Sequence, residues 1–389
     1  MTTKKHHIDT ELGHLGLSPD ENFGIPNPPI YRTSTILSSS MAQHRGDLPK
    51  PYTYGRRGTP TSKAFENAVA SLYEADTCIS TCSGLSAIST AILSVVKSGE
   101  HALFPDSLYG SSRHFVKTLL IDFGIEVEFY PPRINRRITE HFKENTRLLY
   151  LESPGSLTFE VQDVPTMSTL ARNHNIVTIC DDTWGTALHY PVLALGADIV
   201  VEAATKYIAG HSDVNLGIAA ANGTIGKKLK STAGALGICA GPEDLYLGLR
   251  GLRTMRLRLE QSASNGFMLA QALAEHPLVV DVLHPALDSS PDNELYMRDF
   301  YGSCGLFGFV LSETIAQDKL DKAVEAMDIF AIGDSWGGYE SLIKQAHLNS
   351  KLRQFPPEHS PGHLIRVYAG IEHGADLQTD LFQMLNALN

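Results

Sequence analysis

One lysine stands where its side chain could act as a nucleophile. Lys206 follows the segment EAAT, which contains no other cation, and small residues surround it in the sequence AATKYIAGHSD. Semi-apolar surroundings destabilise an ammonium group relative to the free amine, which is the form that attacks a carbonyl carbon. A solvated surface lysine would fit the position of Lys206 alone. Its neighbours favour a Schiff-base site, because small residues pack around the lysine and Thr205 offers a hydroxyl that could bind the anionic group of a ligand held there.

Two adjacent aspartates end the apolar segment IVTIC, namely Asp181 and Asp182. Successive side chains of a strand point to opposite faces, so only one of the two can face a given pocket. A buried carboxylate there could hold a proton on the ring nitrogen of a bound heteroaromatic group. The pattern favours Asp181 for that role, whereas Asp182 is equally typical of a turn or a helix cap.

Two further segments are candidates for binding anions. The sequence SGLSA lies on a predicted strand-to-helix turn, where Gly84 and Leu85 would present backbone N–H groups to a phosphate. The same residues would equally fit an ordinary tight turn that binds no ligand. Arg366 alternates with Ile365 and Val367 in a predicted strand and therefore points away from them. Its guanidinium could bind a carboxylate through two hydrogen bonds or form a structural ion pair.

Several familiar signatures are missing. No G-x-G-x-x-G follows the first predicted strand, and GTIGKKLKST lacks the spacing of a phosphate-binding loop. The tripeptide from His211 to Asp213 has the residue types of a hydrolase triad, but consecutive residues cannot converge in that geometry, so we expect a turn. Cys78 and Cys82 have poor spacing for zinc, and we expect no metal site.

Apolar strands alternate with amphipathic helices ahead of Lys206. The segments TCIST, HALFPD, IEVEFY, RLLYLESP, IVTICDDT and DIVVEAATK read as strands. Helices are predicted after Thr61 as N-cap, from Gly84 to about Lys97, over 136–144 and over 164–173. This alternation favours an α/β fold with a mostly parallel sheet, which binds its ligand beyond the carboxyl ends of the strands. Those ends carry the candidate residues.

The remaining segments suggest the domain organisation. A helical stretch over about 242–275 leads into LVVDVLH, GLFGFVLS, DIFAIG and HLIRVYAG, which is typical of a smaller C-terminal α/β domain. The first residues are rich in proline and glycine without periodicity, like an arm that packs on another subunit. We expect an arm over 1–58, a large domain over 59–250 and a small domain over 251–389.

Composition excludes several classes of protein. Among 389 residues, 32 are Lys or Arg and 43 are Asp or Glu, giving a net charge of -11, so the chain lacks the basic surface of a nucleic-acid binder. No apolar stretch reaches membrane-spanning length, and no signal peptide is visible. Five scattered cysteines indicate no disulfide framework. We expect a cytoplasmic protein without membrane or nucleic-acid partners.

Several motifs occur together in one order along the chain: YGRRGTPT (54–61), ESPGS (152–156), DDTW (181–184), ATKYIAGHSD (204–213), GLRTMRLR (251–258), SWGGYESL (335–342) and LIRVYAG (364–370). With them the chain resembles the pyridoxal-phosphate-dependent enzymes of cysteine and methionine metabolism. The resemblance extends from about residue 29 to the last helix. It implies the PLP-dependent transferase-like fold, fold type I, and pyridoxal 5'-phosphate as cofactor.

The resemblance also implies a role for each candidate residue. Lys206 would be the Schiff-base lysine and proton carrier, and Asp181 would pair with the pyridinium nitrogen. Tyr109 would stack on the cofactor ring and assist proton transfer. The cofactor phosphate would be bound by Gly84, Leu85 and Thr205, and by Tyr54 and Arg56 from a neighbouring subunit. The substrate would contact Arg366 and Ser335 through its α-carboxylate, with Trp336 and Tyr54 beside it.

Trp336 bears on the reaction, because SWGGYES resembles the branch of the family that cleaves the Cβ–S bond of L-cystathionine to homocysteine, pyruvate and ammonia. Two positions depart from that branch: Ala203 replaces a phosphate-binding serine, and Asp334 stands where tyrosine is expected. The open alternatives are β-elimination of other cysteine S-conjugates or L-cysteine, a γ-acting lyase or synthase, and a non-catalytic PLP-binding regulator. The resemblance implies a homotetramer of dimers that share active sites.

Overall fold

Two β-sheets organise the part of the chain that this computed structural model describes, residues 6–348, 353–356, 358–359 and 361–389. The larger sheet has the strand order β1-β7-β6-β5-β4-β2-β3. Its strands are β1 (Thr77–Thr81), β2 (His101–Pro105), β3 (Glu126–Tyr130), β4 (Thr146–Glu152), β5 (Val177–Asp181), β6 (Ile199–Glu202) and β7 (Gly217–Ala221). Neighbouring strands are parallel except at β7, which is antiparallel to β1 and β6. The mostly parallel sheet predicted above is therefore confirmed.

Both faces of this sheet are covered, which explains why its strands are apolar along their whole length. Leu149 and Leu151 of β4 belong to one buried cluster, and Leu148 and Tyr150 of the same strand belong to a second cluster on the opposite face. Cys180 is fully buried, as its sequence context predicts. Strand β7 escaped prediction because its sequence GIAAA has few residues that favour strands.

Helices connect the strands and cover both sheets. They are α1 (Ile8–His14), α2 (Met41–Arg45), α3 (Pro60–Leu72), α4 (Gly84–Val95), α5 (Gly110–Phe115), α6 (Val164–Asn173), α7 (Thr186–His189), α8 (Gly223–Leu236), α9 (Pro242–Leu252), α10 (Met255–Ala274), α11 (Asn293–Asp299), α12 (Gln317–Glu325) and α13 (Gly374–Asn386). Helix α5 continues into a π-helical segment, Val116–Leu120. Helix α6 has the bounds predicted from the sequence, and α4 ends two residues before the predicted Lys97.

The predicted N-cap of α3 is wrong by two residues. Thr59, not Thr61, caps the helix: its side chain accepts a hydrogen bond from Ser62 N, and Ser62 Oγ accepts one from Thr59 N. Pro60 occupies the first helical position, where the missing N–H costs nothing and the fixed φ suits a helix. Thr61 instead donates its hydroxyl to the carbonyl of Pro29, 2.9 Å away, and thereby holds the N-terminal segment.

Two other helical predictions are corrected. The long helix expected over 242–275 is interrupted between α9 and α10, where Gly251 packs so closely that a Cβ would lie 2.1 Å from Ile208 O. This contact and the hydrogen bond from Arg258 Nη2 to Gly251 O hold the break against the loop after β6. The helix expected over 136–144 is a 3-10 helix, Asn135–His141.

The smaller sheet has the order β10-β11-β12-β9-β8. Its strands are β8 (Val279–Leu283), β9 (Leu306–Leu311), β10 (Ala331–Ile332), β11 (Leu342–Ala346) and β12 (His363–Tyr368). Residues of α10 and α13, such as Leu269 and Leu381, pack with Phe307 and Ile365 in its own buried core. A smaller C-terminal sheet of this kind was expected; β11 was missed, and DIFAIG forms only a two-residue strand.

The segment ahead of α3 contains α1, α2 and extended chain, with an isolated bridge between Thr35 and Tyr54. Residues 1–5, which belong to the predicted arm, lie outside the described residues. The assignment of 1–58 as an arm and the boundaries of the two domains remain predictions. None of the helices in the described ranges is both long and apolar enough to cross a membrane.

Candidate active site

Lys206 lies on the loop that follows β6, close to the segment after β10. Its Nζ donates a hydrogen bond to Ser335 Oγ at 2.8 Å and lies 5.2 Å from the ring centroid of Trp336. Burial and the positive charge of Arg366 lower the pKa of Lys206 to about 8, while Asp334 acts in the opposite direction. A lysine with that pKa exists to a useful extent as the free amine near neutral pH. The semi-apolar surroundings inferred from EAAT are therefore present.

The loop of Lys206 is fixed by a residue of α10. Arg258 donates from Nη2 to Tyr207 O at 2.9 Å and to Gly251 O at 2.8 Å. Gly210 has φ +70, and a Cβ at that residue would lie 1.6 Å from Arg258 Nη1, so glycine is required there on both counts. Where a turn was predicted for His211 to Asp213, the chain bends at His211 and Ser212, with Ser212 also at positive φ. The guanidinium therefore determines the path of the chain just after Lys206.

Asp181 ends β5 and is held by Thr183, a residue of the DDTW motif to which the sequence assigned no role. Thr183 Oγ1 donates to Asp181 Oδ1 at 2.5 Å, and Thr183 N donates to the same oxygen at 3.0 Å. Thr183 Oγ1 also accepts a hydrogen bond from Ala203 N at 3.0 Å, so it joins Asp181 to the loop that carries Lys206. Asp181 Oδ2 has Tyr150 Oη at 3.4 Å. The only sequence signal was a threonine two residues after an aspartate, which is typical of a local turn.

Burial raises the pKa of Asp181, and the hydrogen bonds from Thr183 oppose that change. Glu152 lies opposite Asp181 in the register of β4 and β5. Burial and the nearby charge of Asp181 raise the pKa of Glu152 well above its usual range. A cation placed against Asp181 Oδ2 would favour the ionised form of Asp181. The site therefore suits a group that brings its own positive charge.

The turn between β1 and α4 brings backbone N–H groups close to the loop that carries Lys206. Ser83 caps α4 by accepting a hydrogen bond from Ser86 N at 3.1 Å. Gly84 and Leu85 occupy the first turn, where backbone N–H groups have no acceptor within the helix. A Cβ at Gly84 would lie 2.6 Å from Ala203 Cβ, so only glycine lets this helix end approach the loop so closely. The geometry suits a small anion.

Arg366 lies on β12, buried, and binds the segment between β10 and β11. Its guanidinium donates to the carbonyl oxygens of Gly333, Asp334 and Ser335 at 2.8 to 3.0 Å. Its Nε has no hydrogen-bond partner in the described part of the chain, although it is buried. Burial lowers the pKa of Arg366 to about 10. Arg366 thus positions Ser335 and keeps one buried donor available for a ligand.

Tyr109 precedes helix α5 and is 47% exposed as a residue, which leaves it accessible to a ligand. Its backbone N donates to Glu152 Oε2 at 2.9 Å. Asp106, which like Glu152 is buried, accepts hydrogen bonds from Arg113 Nη2 and from the backbone N–H groups of Gln354 and Phe355. The turn that carries Tyr109 is therefore anchored on both sides by carboxylates; both end predicted strands, but the sequence assigned neither of them a role.

Tyr54 and Arg56 line a different cavity. Arg56 Nη1 donates to Gly234 O in α8 at 3.1 Å. The two residues line a groove of about 1040 Å³ between the N-terminal segment and α8, together with Glu66 and Lys230. None of the other predicted site residues lines this groove. A single described chain therefore does not bring Tyr54 and Arg56 to Lys206.

The structure brings together most of the other predicted residues. Lys206, Ser335, Trp336 and Arg366 form one group, and Asp181 is connected to the Lys206 loop through Thr183. Thr205 lies in the same loop, but its hydroxyl donates to Leu216 O and accepts from Leu216 N. It would need to rotate to donate to an anion. The arrangement is a basic amine, a buried carboxylate, a helix N-terminus and a guanidinium around one loop.

Comparison with known proteins agrees with this arrangement. Residues 9–386 match the family model of the Cys/Met metabolism PLP-dependent enzymes. The chain is 43% identical to a protein of Rhizobium johnstonii that carries the name cystathionine beta-lyase provisionally, over 96% of this chain and 94% of that protein. It is 35% identical to the cystathionine beta-lyase MetC of Escherichia coli, with 98% of each chain covered.

Two further similarities show that sequence identity alone does not decide which reaction the chain catalyses. The chain is also 35% identical to an L-alanine/L-glutamate racemase of Wolbachia pipientis, with 92% of each chain covered. Among solved structures, the cystathionine gamma synthase of Xanthomonas oryzae superposes with a TM-score of 0.92 at 27% identity, covering 99% of each chain. The fold is that of fold type I, while relatives of similar identity carry the names of different reactions.

Proposed function

The chain belongs to the Cys/Met metabolism PLP-dependent enzyme family, and we propose that it is a carbon–sulfur lyase that cleaves L-cystathionine by β-elimination. The products would be homocysteine, pyruvate and ammonia. The observation that carries the proposal is the pairing of Lys206 with Ser335 and Trp336 beside Arg366. It places a basic amine next to a candidate carboxylate-binding group, which proton removal from an α-amino acid needs.

The residues present fit pyridoxal 5'-phosphate. Lys206 would hold its aldehyde carbon, and Asp181 Oδ2, which has only the long contact with Tyr150 Oη, would accept a hydrogen bond from its protonated ring nitrogen. The amides of Gly84 and Leu85 would bind its phosphate, with Thr205 after rotation. Tyr109, exposed beside this group, would stack on the ring. When bound, the cofactor supplies an electron sink for the charge that develops at the substrate Cα.

The side chains of this chain would supply orientation and proton transfer. Arg366 would bind the substrate α-carboxylate through its unpaired Nε, and Ser335 would add a hydrogen bond once Lys206 moves. The lowered pKa of Lys206 makes Nζ a base that can take the Cα proton. The same Nζ, once protonated, would return a proton to the leaving thiolate. Asp181 and Thr183 would hold the charge of the ring nitrogen in place.

The residues that face the substrate decide which of the two carbon–sulfur bonds of L-cystathionine, Cβ–S or Cγ–S, is cleaved. Trp336 packs against Tyr207, with ring centroids 5.6 Å apart, and faces the lysine amine. Asp334 is largely exposed and pairs with Lys344 at 2.5 Å. A carboxylate at this position would attract the second amino group of L-cystathionine and repel its second carboxylate. Asp334 therefore bears on which thioether is accepted, while Trp336, through the resemblance of SWGGYES, supports cleavage at Cβ.

We also propose the assembly. Tyr54 and Arg56 would reach the cofactor phosphate of a neighbouring subunit, because within their own chain they line a separate groove. The unit would be a homotetramer of dimers that share active sites, with 1–58 as the arm, 59–250 as the large domain and 251–389 as the small domain. All five cysteines are free thiols, which supports a reducing compartment such as the cytoplasm.

The test is to incubate the purified protein with L-cystathionine and identify the products by mass spectrometry. Pyruvate is expected, and Lys206→Ala should abolish its formation. Mainly 2-oxobutyrate would mean γ-elimination and would overturn the β-lyase assignment. A parallel incubation with L-alanine covers the racemase relative: formation of D-alanine, with no keto acid from L-cystathionine, would instead assign the protein to racemisation.

A further inference from the structure

A buried group of acidic residues lies behind the candidate active site and has so far been given no role in the proposed reaction. Asp182 follows Asp181 at the end of β5, and Glu202 ends β6. Both side chains are essentially inaccessible, with 0% and 1% exposure. Because side chains alternate along a strand, Asp182 and Glu202 point to the face opposite that of Asp181. There they meet Tyr73, at the end of α3.

The hydrogen bonds of this group require an extra proton. Tyr73 Oη lies 2.6 Å from Glu202 Oε2 and 3.0 Å from Asp182 Oδ2. A tyrosine hydroxyl carries one proton, so it can donate to only one of two carboxylates. The second contact is attractive only if the other carboxyl group is itself protonated and donates to Tyr73 Oη. Two ionised carboxylates could not both be satisfied by this hydroxyl.

The surroundings also disfavour two negative charges. Asp182 Oδ1 and Glu202 Oε1 are buried and meet no well-aligned hydrogen-bond donor among the described residues, although the backbone N–H of Thr186 is close enough to Asp182 to oppose the rise of its pKa. Besides Tyr73, the titratable groups that act on the pair or are acted on by it are anionic or neutral: Asp181 and Cys180 of β5, Cys78 of β1 and Tyr190 after α7. Burial raises the pKa of Asp182 well above its usual range and that of Glu202 to about 8.

We propose that Asp182, Glu202 and Tyr73 hold a shared proton, so that this cluster carries at most one negative charge at neutral pH and leaves Asp181 as the preferred site of ionisation. The second half of this statement rests on the proposed function, in which Asp181 must be ionised to hold a protonated ring nitrogen. An additional charge behind Asp181 would drive a proton onto it. The cluster would therefore act through Asp181 as a set of positioning residues.

Infrared spectroscopy of the enzyme as isolated tests the shared proton directly. A protonated carboxyl group has a C=O absorption that a carboxylate lacks. The difference spectrum between wild type and Glu202→Gln, or between wild type and Asp182→Asn, should show the loss of that absorption near pH 7. The matched control is Asp198→Asn, because Asp198 accepts hydrogen bonds from Thr178 at the opposite ends of the same two strands. Unchanged absorption in both cluster variants would overturn the proposal.

Stability gives a second, independent measurement. A carboxyl pKa raised to about 8 in the folded protein means that the native state retains a proton which the unfolded chain loses above its own pKa. The contribution of Glu202 to the free energy of unfolding is therefore greatest below about pH 4.5 and is lost as pH rises towards about 8. The unfolding temperature of Glu202→Gln relative to wild type, at fixed scan rate, should be higher at about pH 8.5 than at about pH 6 by more than about 2 °C.

The same comparison with Asp198→Asn should show no such dependence on pH, and an equal difference for Glu202→Gln at both pH values would contradict the proposal. If Glu202→Gln fails to fold, Tyr73→Phe replaces it: without the hydroxyl the infrared absorption should move, and an unmoved absorption would place the proton elsewhere. Neither measurement uses a substrate. A protein that does not cleave L-cystathionine could still hold this proton, so failure of the proposed function would be recognised separately.

Discussion

Replacing Thr183 by valine should slow the reaction without unfolding the protein. The change keeps the shape of the side chain but removes the hydroxyl that donates to Asp181 Oδ1 at 2.5 Å and accepts from Ala203 N at 3.0 Å. A hydrogen bond to a charged group contributes about 1.5–3 kcal/mol. If that stabilisation is needed most in the transition state, kcat should fall roughly 10- to 100-fold.

The pH profile should change as well, with a defined sign. The hydrogen bonds from Thr183 lower the pKa of Asp181, against the burial that raises it. Without the hydroxyl the pKa of Asp181 rises further, so the acid limb of the activity profile should move to higher pH. KM should change little, because the proposed carboxylate ligands Arg366 and Ser335 lie on other segments.

Steady-state kinetics with L-cystathionine across pH, read out as pyruvate, would measure both effects. Thr183→Ser is the matched control, because it retains the hydroxyl and should stay within a few-fold of wild type. If Thr183→Val keeps kcat within twofold and the same acid limb, Thr183 does not support Asp181 as described. A loss shared equally by Thr183→Ser would indicate a packing effect of the methyl group instead.

Three further outcomes are expected. Asp181→Asn should keep the fold but lower kcat by roughly two to four orders of magnitude, because a neutral amide cannot hold a ring proton and about 3–5 kcal/mol of stabilisation is lost; a variant within threefold of wild type would refute this role. Gly84→Ala should weaken cofactor binding at least about tenfold in an absorbance titration, because its Cβ would clash at 2.6 Å, whereas Gly13→Ala, with nothing within 4 Å, should bind normally. Refolding inactive Lys206→Ala with inactive Arg56→Ala in equal amounts should restore about a quarter of wild-type activity if the two residues come from different subunits; no recovery despite mixed oligomers in native mass spectrometry would mean that Arg56 serves its own chain.

The sequence by itself determined the fold class and singled out the main candidate site residues. The alternation of apolar strands and amphipathic helices was enough for a mostly parallel sheet, because period and burial leave a direct record in residue type. Lys206, Asp181 and Gly84 could be singled out because they follow predicted strands, and the ends of parallel strands meet at one edge of a sheet. Arg366 could be predicted to face away from Ile365 and Val367, because successive side chains of a strand point to opposite faces.

Only the tertiary structure decided which groups act on those residues. Thr183 and Glu152 stand at predicted strand ends, but only the structure shows that they bind Asp181 and the turn of Tyr109, because residue order does not record which side chains pair across strands. The lowered pKa of Lys206 depends partly on Arg366, which is 160 residues away in the chain. Asp182 looked like an ordinary turn residue until Glu202 and Tyr73 were found against it. Electrostatic effects depend on distance and burial in space, and neither quantity is written in residue order.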